Sequence, residues 1–355
     1  MGKPFVSVLI DTYNHERFIE QAIVSVLEQD FAEADREIIV VDDGSVDGTP
    51  EIVKRFGSRV RSLRKANGGQ ASAFNEGIPE CRGEIVAFLD GDDWWAPGKL
   101  KAVSEALEGE PAVGIVGHGI TEVYTDGREH SELLREAPRF RIDSEKGARL
   151  FRLRKSFLGS SRMTLRAEVA RRIGQVPEAL RIEADEYLFT LGAVFSDALI
   201  LPESLTFYRL HENNAFQISN GDPAAHRRKR EVLQVLANAL QKRLKELGLA
   251  EEVVKTVVES VAIEATLIRL ATEGGYPWQT VRAELRSYRI TNENAGLGHW
   301  LFKCIALLPA CVLPAKRYYT LRQSLSTNTT YRKAREKWLP FLQAEHVERI
   351  RTPRP

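Results

Sequence analysis

The sequence predicts an α/β protein: a wound, mostly parallel sheet over residues 1–222, a helical appendage over 223–290 and a C-terminal tail over 291–355. Three observations predict it. Up to the boundary at Gly221 to Pro223, short apolar runs rich in β-branched and aromatic residues alternate with amphipathic stretches, the signature of βαβ units. The strands end in polar and acidic segments, as in open sheets that hold ligands along the carboxyl rim. Beyond the boundary the alternation stops and only helical spacing remains.

Val6 to Ile10 reads as the first strand and Glu16 to Glu28 as the helix behind it, capped by Asn14. Ile38 to Val41 is the second strand, followed by a helix from Pro50 to Phe56 with Thr49 as cap and proline in the first helical position. Val60 to Leu63, a short helix from Gln70 to Ile78, and strands at Ile85 to Leu89 and Val113 to Val116 continue the pattern. Asp126-Gly127 reads as a hairpin turn. A helix over Ala184 to Val194 and strands at Leu199 to Leu201 and Leu205 to Arg209 close the unit. In the appendage, Val232, Val235, Leu236, Ala239, Leu240 and Leu244 mark one helix, and Val253, Val254, Val257, Val258, Val261, Ala265 and Ile268 a second. A third, short helix follows Gly274-Gly275, and Thr291 to Gly298 reads as a linker.

Composition narrows the function. With 355 residues, 43% hydrophobic and 28% charged, the chain has enough apolar material for a large domain and a smaller one. Its 50 basic residues face 49 acidic ones, so no global field draws in nucleic acid. Cys81, Cys304 and Cys311 are too few and too scattered for a disulfide framework or a thiolate zinc site, which places the chain by default in a reducing compartment, the cytoplasm. Met1 to Pro4 leads straight into the first strand, and no secretory signal is expected.

The chemistry concentrates in Ile85 to Trp95, I-V-A-F-L-D-G-D-D-W-W, where a buried strand runs into Asp90, Asp92 and Asp93. Hard oxygen donors of this kind suit Mg²⁺ or Mn²⁺, and an ion there could grip a diphosphate. An isolated D-x-D reads better as a solvated turn, but other polar segments converge on the same rim. Asp11-Thr12-Tyr13-Asn14 ends the first strand, Asp42-Asp43-Gly44-Ser45 the second, and Asn67-Gly68-Gly69-Gln70 follows the third. A carboxylate there can accept from a base or ribose, Tyr13 can pack on a base, and Gly68-Gly69 can bring backbone N–H groups near phosphate.

In this order the segments resemble the family 2 inverting glycosyltransferases, which have the GT-A fold and use nucleotide-diphosphate sugars. The pieces are V-S-V-L-I-D-T-Y-N-H-E, I-I-V-V-D-D-G-S-V-D-G-T, N-G-G-Q-A-S-A-F-N-E-G-I, V-A-F-L-D-G-D-D-W-W-A-P-G-K-L, E-A-D-E-Y-L and Y-R-L-H-E-N-N, from Phe5 to Asn214. The resemblance implies that Thr12, Tyr13, Asp42 and Asp43 hold the base and ribose with Glu16 nearby, and that Asn67 and Gln70 line the nucleotide-sugar pocket. It makes Asp90 and Asp92 the D-x-D pair, Asp92 the direct metal ligand, and His211 the histidine that meets the metal or diphosphate from the far side. Asp11 stands where the family often has Pro, a departure expected to touch turn geometry. Asp185 matches the position of the catalytic aspartate, the base an inverting transfer requires. Glu183 and Glu186 are its neighbours and rivals, and all three also suit the positive end of a helix.

Trp94 and Trp95 read either as a floor for an acceptor sugar or as core, with Glu183 a further acceptor-side candidate. The basic run His226 to Arg230 opens a helix and reads as a solvated turn or an anion contact. Trp300 to Leu313 is apolar, but Lys303, Pro309 and Pro314 interrupt or bound it, and it is too short to span a bilayer. With Lys316, Arg317, Tyr318 and Tyr319 it reads either as an interfacial segment over 297–319, peripheral at the inner face of the membrane, or as a helix packed on the protein. The helix from Val253 to Leu270 fits a homodimer or a packed appendage equally. The function expected is transfer from a nucleotide-diphosphate sugar, UDP first, to a saccharide or lipid-linked acceptor, with Mn²⁺ or Mg²⁺. The alternatives are an inactive sugar-nucleotide binding scaffold and a sugar nucleotidyltransferase. The latter usually carries a Gly-rich signature near the first strand, which Phe5 to Glu28 lacks.

Overall fold

Alternating β-branched residues make V-S-V-L-I-D-T an extended segment, and it forms the central strand β1 (Val6–Thr12) of a sheet. The computed structural model describes residues 5–211, 223–291, 296–327 and 347–351. The chain divides into two compact units, Met1–Gln217 with His346–Pro355, and Ile218–Glu345.

In the first unit β1 lies between two parallel neighbours, β2 (Arg36–Asp42) and β4 (Ile85–Asp90), and β3 (Arg61–Arg64) extends the sheet beyond β2. Both faces are covered, which is why Leu9, Ile10, Ile39, Val40, Phe88 and Leu89 are all buried. Helices α1 (Ile19–Leu27), α2 (Thr49–Lys54), α3 (Gln70–Gly77) and α4 (Lys99–Gly109) connect these strands and the short β5 (Trp94–Trp95). Ile19, Ile23 and Val26 of α1 and Leu100, Val103 and Leu107 of α4 share one apolar core with the sheet.

Next come β6 (Val113–Val123), β7 (Glu129–Leu134), β8 (Arg139–Phe140), α5 (Glu145–Arg154), β9 (Thr164–Arg166), α6 (Ala167–Ile173), α7 (Ala184–Phe195) and β10 (Asp197–Arg209). The strand β11 (Val347–Arg351) pairs with β7. Strand order is β11-β7-β6-β9-β4-β1-β2-β3, with β10 parallel to β6 and antiparallel to β5 and β8. β9 is antiparallel to both β4 and β6, so β6 keeps the direction of the central strands. The expected wound, mostly parallel sheet is present.

Tertiary contacts moved several expected boundaries. α1 begins at Ile19, because Asn14 takes a left-handed backbone (φ 56°) and its Oδ1 accepts the Val46 amide at 2.9 Å instead of capping a helix. Thr49 does not cap α2; it is the first helical residue and its Oγ1 accepts the His15 amide at 2.9 Å. The two strands expected at 199–201 and 205–209 are one strand, β10, with irregular register between Leu201 and Thr206 that absorbs Pro202.

The second unit holds α8 (Pro223–Glu246), α9 (Glu251–Thr272), α10 (Pro277–Thr291), α11 (Leu297–Ala306), α12 (Leu308–Val312) and α13 (Ala315–Thr327). Of the expected boundary, Gly221 to Pro223, positions 221–222 lie outside the described residues and Pro223 already opens α8; of the expected linker, Thr291 to Gly298, half, 292–295, lies outside them, and Leu297 and Gly298 belong to α11. Leu233, Leu236, Leu240 and Leu244 of α8 and Val253, Val254, Val257 and Val261 of α9 are buried within the chain. The apolar character of α9 therefore needs no second copy to explain it. Among the described residues, no helix is long and apolar enough to cross a membrane.

Candidate active site

Three strand ends build the site. The registers Thr12↔Asp42 and Asp11↔Asp90 put Asp11, Thr12, Asp42 and Asp90 on one rim of the sheet. β4 then turns through Gly91, Asp92 and Asp93 into β5. Gly91 has no room for a side chain, since a Cβ there would stand 2.6 Å from Thr12 Oγ1 and 2.9 Å from His15 Nδ1. This turn gathers Asp90, Asp92 and Asp93, with a carboxylate oxygen of each within 4.8 Å of the others.

The loops after β1 and β2 are laced together above the rim. Asn14 N donates to Ser45 Oγ at 2.9 Å, Glu16 N to Asp47 Oδ2 at 3.0 Å, and Gly48 N to Glu16 Oε2 at 2.7 Å. Tyr13 is left exposed, and Thr12 is buried with its Oγ1 3.2 Å from His15 Nδ1. Asp42 is buried, accepts the Ser45 amide at 2.8 Å and lies 3.4 Å from Arg64 Nε.

Asp43 corrects one expectation. Its carboxylate accepts the amides of Gly68 at 2.9 Å and Gly69 at 2.6 Å and pairs with Lys65 Nζ at 2.9 Å. The two glycine N–H groups are thus turned onto Asp43 and are not presented to a phosphate. Gly69, at φ 87°, also lets the loop approach Arg181, where a Cβ would fall 2.6 Å from the Arg181 Cα. Asn67 Oδ1 accepts from Arg181, and Gln70 Oε1 accepts the Ala184 amide at 3.0 Å, so both tie this loop to the start of α7.

The acids differ in charge by environment. His211 Nε2 lies 3.0 Å and His15 Nε2 3.9 Å from Asp92 Oδ2. Burial opposes the Asp92 charge, but the His211 hydrogen bond and the His15 and His211 charges outweigh it and hold the pKa below the carboxylate range. Asp90 moves the other way: burial first, then the Asp92 charge, lift it to about 7, against a 2.5 Å hydrogen bond from Ser160 Oγ. Burial and the Asp92 and Asp90 charges raise Asp93 well above its ordinary value. Burial and the facing Asp90 do the same to Asp11. β1 runs through Asp11 without turning, so that residue alters the electrostatics of the site and not, as expected, a turn. Asp11 and Asp90 face one another, and among the described residues no N–H or hydroxyl donates to the buried Oδ1 of either. Buried carboxylate oxygens crowded together beside Asp92, with no N–H or hydroxyl donor, are the donor set a hard divalent cation takes.

Asp185 joins this group through one residue. Ser160 Oγ donates to Asp90, while Ser160 N donates to Asp185 Oδ2 at 3.1 Å. Asp185 Oδ1 accepts the Glu186 amide at 2.9 Å. Burial foremost raises the Asp185 pKa, the Ser160 amide opposes it, and the Glu186 charge adds to it. Glu183 is buried in a left-handed conformation, φ 60°, at the entry of α7, a strain that tends to mark functional turns. Glu186 pairs with Lys155.

The aromatic pair after the acids splits. Trp95 is core: it is 2% exposed, and its Nε1 donates to Ser161 O at 3.0 Å, so it forms no acceptor floor. Trp94 is half-buried, stacked on Phe207 at 5.1 Å, with the Arg209 guanidinium 4.4 Å from its ring centroid. Arg209 also lies 4.8 Å from the Phe18 centroid, and Phe18 is 4.6 Å from the His211 ring. Ser160, Ser161, His15 and Arg209 were not singled out from sequence. A signal existed for Arg209, since strand alternation puts it on the same face as His211; none existed for the serines.

Residues 7–174 match the family described as "Glycosyl transferase family 2". The chain carries a family 2 glycosyltransferase domain. It is 31% identical over 214 residues to the uncharacterized glycosyltransferase alr2836 of Nostoc sp. (strain PCC 7120), covering 59% of this chain and 66% of that one. To the uncharacterized glycosyltransferase EpsJ of Bacillus subtilis it is 38% identical over 130 residues, 36% of this chain and 37% of that one. At least a third of each relative's length is therefore unmatched. Among solved structures, the chain is similar to S. aureus TarS 1–349 in complex with UDP-GlcNAc (TM-score 0.52, 20% identity, 82% of this chain and 89% of that one). It is likewise similar to the mannosyltransferase PcManGT of Pyrobaculum calidifontis in complex with GDP-Man and Mn²⁺ (TM-score 0.54, 19% identity, 94% and 83%). These two likenesses bear on fold, and the fold is GT-A.

Proposed function

We propose that the chain is a metal-dependent inverting glycosyltransferase that moves a sugar from a nucleotide-diphosphate sugar, in the first place a UDP-sugar, to a hydroxyl acceptor. The acceptor class we assign is a saccharide or lipid-linked saccharide of polysaccharide synthesis, reached from the cytoplasm. The observation that carries this reading is Ser160, whose hydroxyl holds Asp90 and whose amide holds Asp185. One residue thus spaces a cation-binding acid from a buried carboxylate with a raised pKa, the arrangement in which a base faces a leaving group.

In this reading Thr12, Tyr13 and Asp42 take the base and ribose, Asp43 and Glu16 hold the surrounding loops, and Asn67 and Gln70 fix the loop beside the sugar. Asp92, with His211 and Asp90, would hold Mn²⁺ or Mg²⁺, which neutralises charge on a departing diphosphate. The acceptor oxygen bonds to the anomeric carbon as the carbon–oxygen bond to the diphosphate breaks. Asp185 takes the acceptor proton, and the raised pKa makes it a stronger base than an ordinary carboxylate. Trp94 is the aromatic surface left on the acceptor side.

The test is a thermal-shift panel of UDP-, GDP- and dTDP-sugars with and without Mn²⁺, since a ligand stabilises according to its concentration over its Kd. A metal-dependent shift with one nucleotide class, followed by nucleotide release with that donor, is expected. No shift with any member of the panel overturns the reading.

A further inference from the structure

The helix α11 is built inside out. A helix on a water-facing surface turns its apolar stripe to the protein and its charges to solvent. In α11, Lys303 points inward, its Nζ 2.8 Å from the buried carboxylate of Glu284, and Trp300 packs edge-on against Tyr288 at 5.1 Å. The outer face carries Leu297, Leu301 and Ile305 at helical spacing, 77%, 57% and 64% exposed. The stripe continues through α12, where Leu308 and Val312 are 61% and 77% exposed while Leu307 and Ala310 form the buried side. Phe302 adds an exposed aromatic. Trp278 and Tyr276, also exposed, leave a turn tied to α13 by the Ala315 amide, which donates to Gly275 O at 3.1 Å.

Charge decides what meets this face. Residues 296–327 contain Lys303, Lys316, Arg317 and Arg322 and not one Asp or Glu. Lys303 and Arg322 share Glu284, while Lys316 and Arg317 are exposed at the start of α13. Two copies placed face to face would bring like charges together. An anionic bilayer surface meets both demands, since acyl chains accept the stripe and phosphate head groups accept the cations.

We propose that α11 to α13 form an interfacial patch that binds anionic phospholipid membranes, with Leu297, Leu301, Ile305, Leu308 and Val312 entering the acyl boundary and Lys316 and Arg317 contacting head groups. The patch lies wholly within the second unit, and its binding needs neither donor nor cation, so it stands or falls apart from the transfer reaction.

The full chain is sedimented with vesicles of phosphatidylcholine alone or mixed with phosphatidylglycerol. The wild type is expected to partition onto the mixed vesicles and to do so less at high salt, where head-group attraction is screened. Leu301→Glu with Ile305→Glu should lower partition at least about 10-fold, and Lys316→Glu with Arg317→Glu should remove the preference for anionic lipid. Both pairs are exposed, so melting temperature and donor-induced shifts should stay as in the wild type, which separates lost binding from lost fold. Absence of partition, or partition untouched by the Leu301 and Ile305 changes, overturns the proposal. A wild-type dimer in light scattering that Leu301→Glu with Ile305→Glu converts to monomer overturns it too, because a second copy then covers the face.

Discussion

Replacing Asp185 by Asn separates the proposed base from the fold around it. Asp185 accepts two amides, from Ser160 at 3.1 Å and from Glu186 at 2.9 Å, one on each oxygen. Asn keeps one acceptor and turns an NH₂ toward the other amide, so one donor loses its partner at a cost of about 1–3 kcal/mol. Part of that is offset, because the variant no longer carries a charge that burial disfavours. A net loss of about 2 kcal/mol lowers the melting temperature by no more than about 8 °C in a domain of this size. Loss of a general base costs a rate factor of about 10²–10⁴, roughly 3–5 kcal/mol on the barrier. The larger effect therefore falls on turnover. Acceptor-dependent nucleotide release with Mn²⁺ should drop by at least about 100-fold, while the donor-induced thermal shift stays close to that of the wild type. Turnover within about 10-fold of the wild type would mean that another group takes the proton, and the role assigned to Asp185 would be wrong.

Ser160→Ala removes the hydroxyl from Asp90 but leaves the amide on Asp185, so metal-dependent donor binding should weaken by about 10–100-fold, the worth of a hydrogen bond to a charged group, with a smaller fall in kcat; an equal fall in kcat at unchanged KM would contradict this. Asp92→Asn should abolish the Mn²⁺-dependent part of the donor thermal shift, and a full shift in that variant would remove Asp92 from the cation site. Trp95→Ala should destabilise the fold by about 3–5 kcal/mol in denaturant titration, and Trp94→Ala by less than half as much; equal costs would place both in the core. His118 is fully buried, and burial, with the Lys99 charge, holds its pKa well below 6.5. The unfolded chain therefore binds a proton below about pH 6.5 that the folded chain does not, so stability drops as pH is lowered there, by about 1.4 kcal/mol per unit. His118→Gln should lack this component, and parallel stability–pH curves for the two proteins would show that His118 titrates alike in both states.

Where local pattern and global fold agree, the sequence could be read. β1, β2 and β4 are apolar runs that end in acids, and each strand end landed on the rim within two residues of where the pattern put it. The D-x-D turn was legible for the same reason. Elements that depend on distant partners were not. β9 is three residues long and exists through pairing with β4 and β6, so no periodicity announces it, yet the turn before it delivers Ser160 and Ser161 to the acids. Asn14 and Thr49 have the chemistry of helix caps but serve the lacing between the β1 and β2 loops, a tertiary use that local preference cannot foresee. Trp94 and Trp95 are adjacent strand residues and so face opposite ways, which is why one belongs to the core and the other to the rim.

The serine pair also answers how so many acids are held still. Ser161 O accepts from Trp95 Nε1, Lys99 Nζ and Thr206 Oγ1 at 3.0, 2.9 and 2.7 Å, three donors from three different elements on one carbonyl. That carbonyl fixes the backbone whose hydroxyls reach Asp93 and Asp90 and whose amide reaches Asp185. Lys99 is buried, 3.5 Å from the Trp95 ring centroid, burial pulls its pKa well down, and its Nζ is a positioned donor to Ser161 O. Burial and mutual repulsion raise the pKa of Asp11 and Asp93 and lift that of Asp90 to about 7, while the two histidines hold that of Asp92 down. A rim built this way lowers the repulsion among four clustered acids and still presents fixed oxygens. Such prearranged donors are what stabilisation of a departing diphosphate requires, since groups already in place need not reorganise as charge develops.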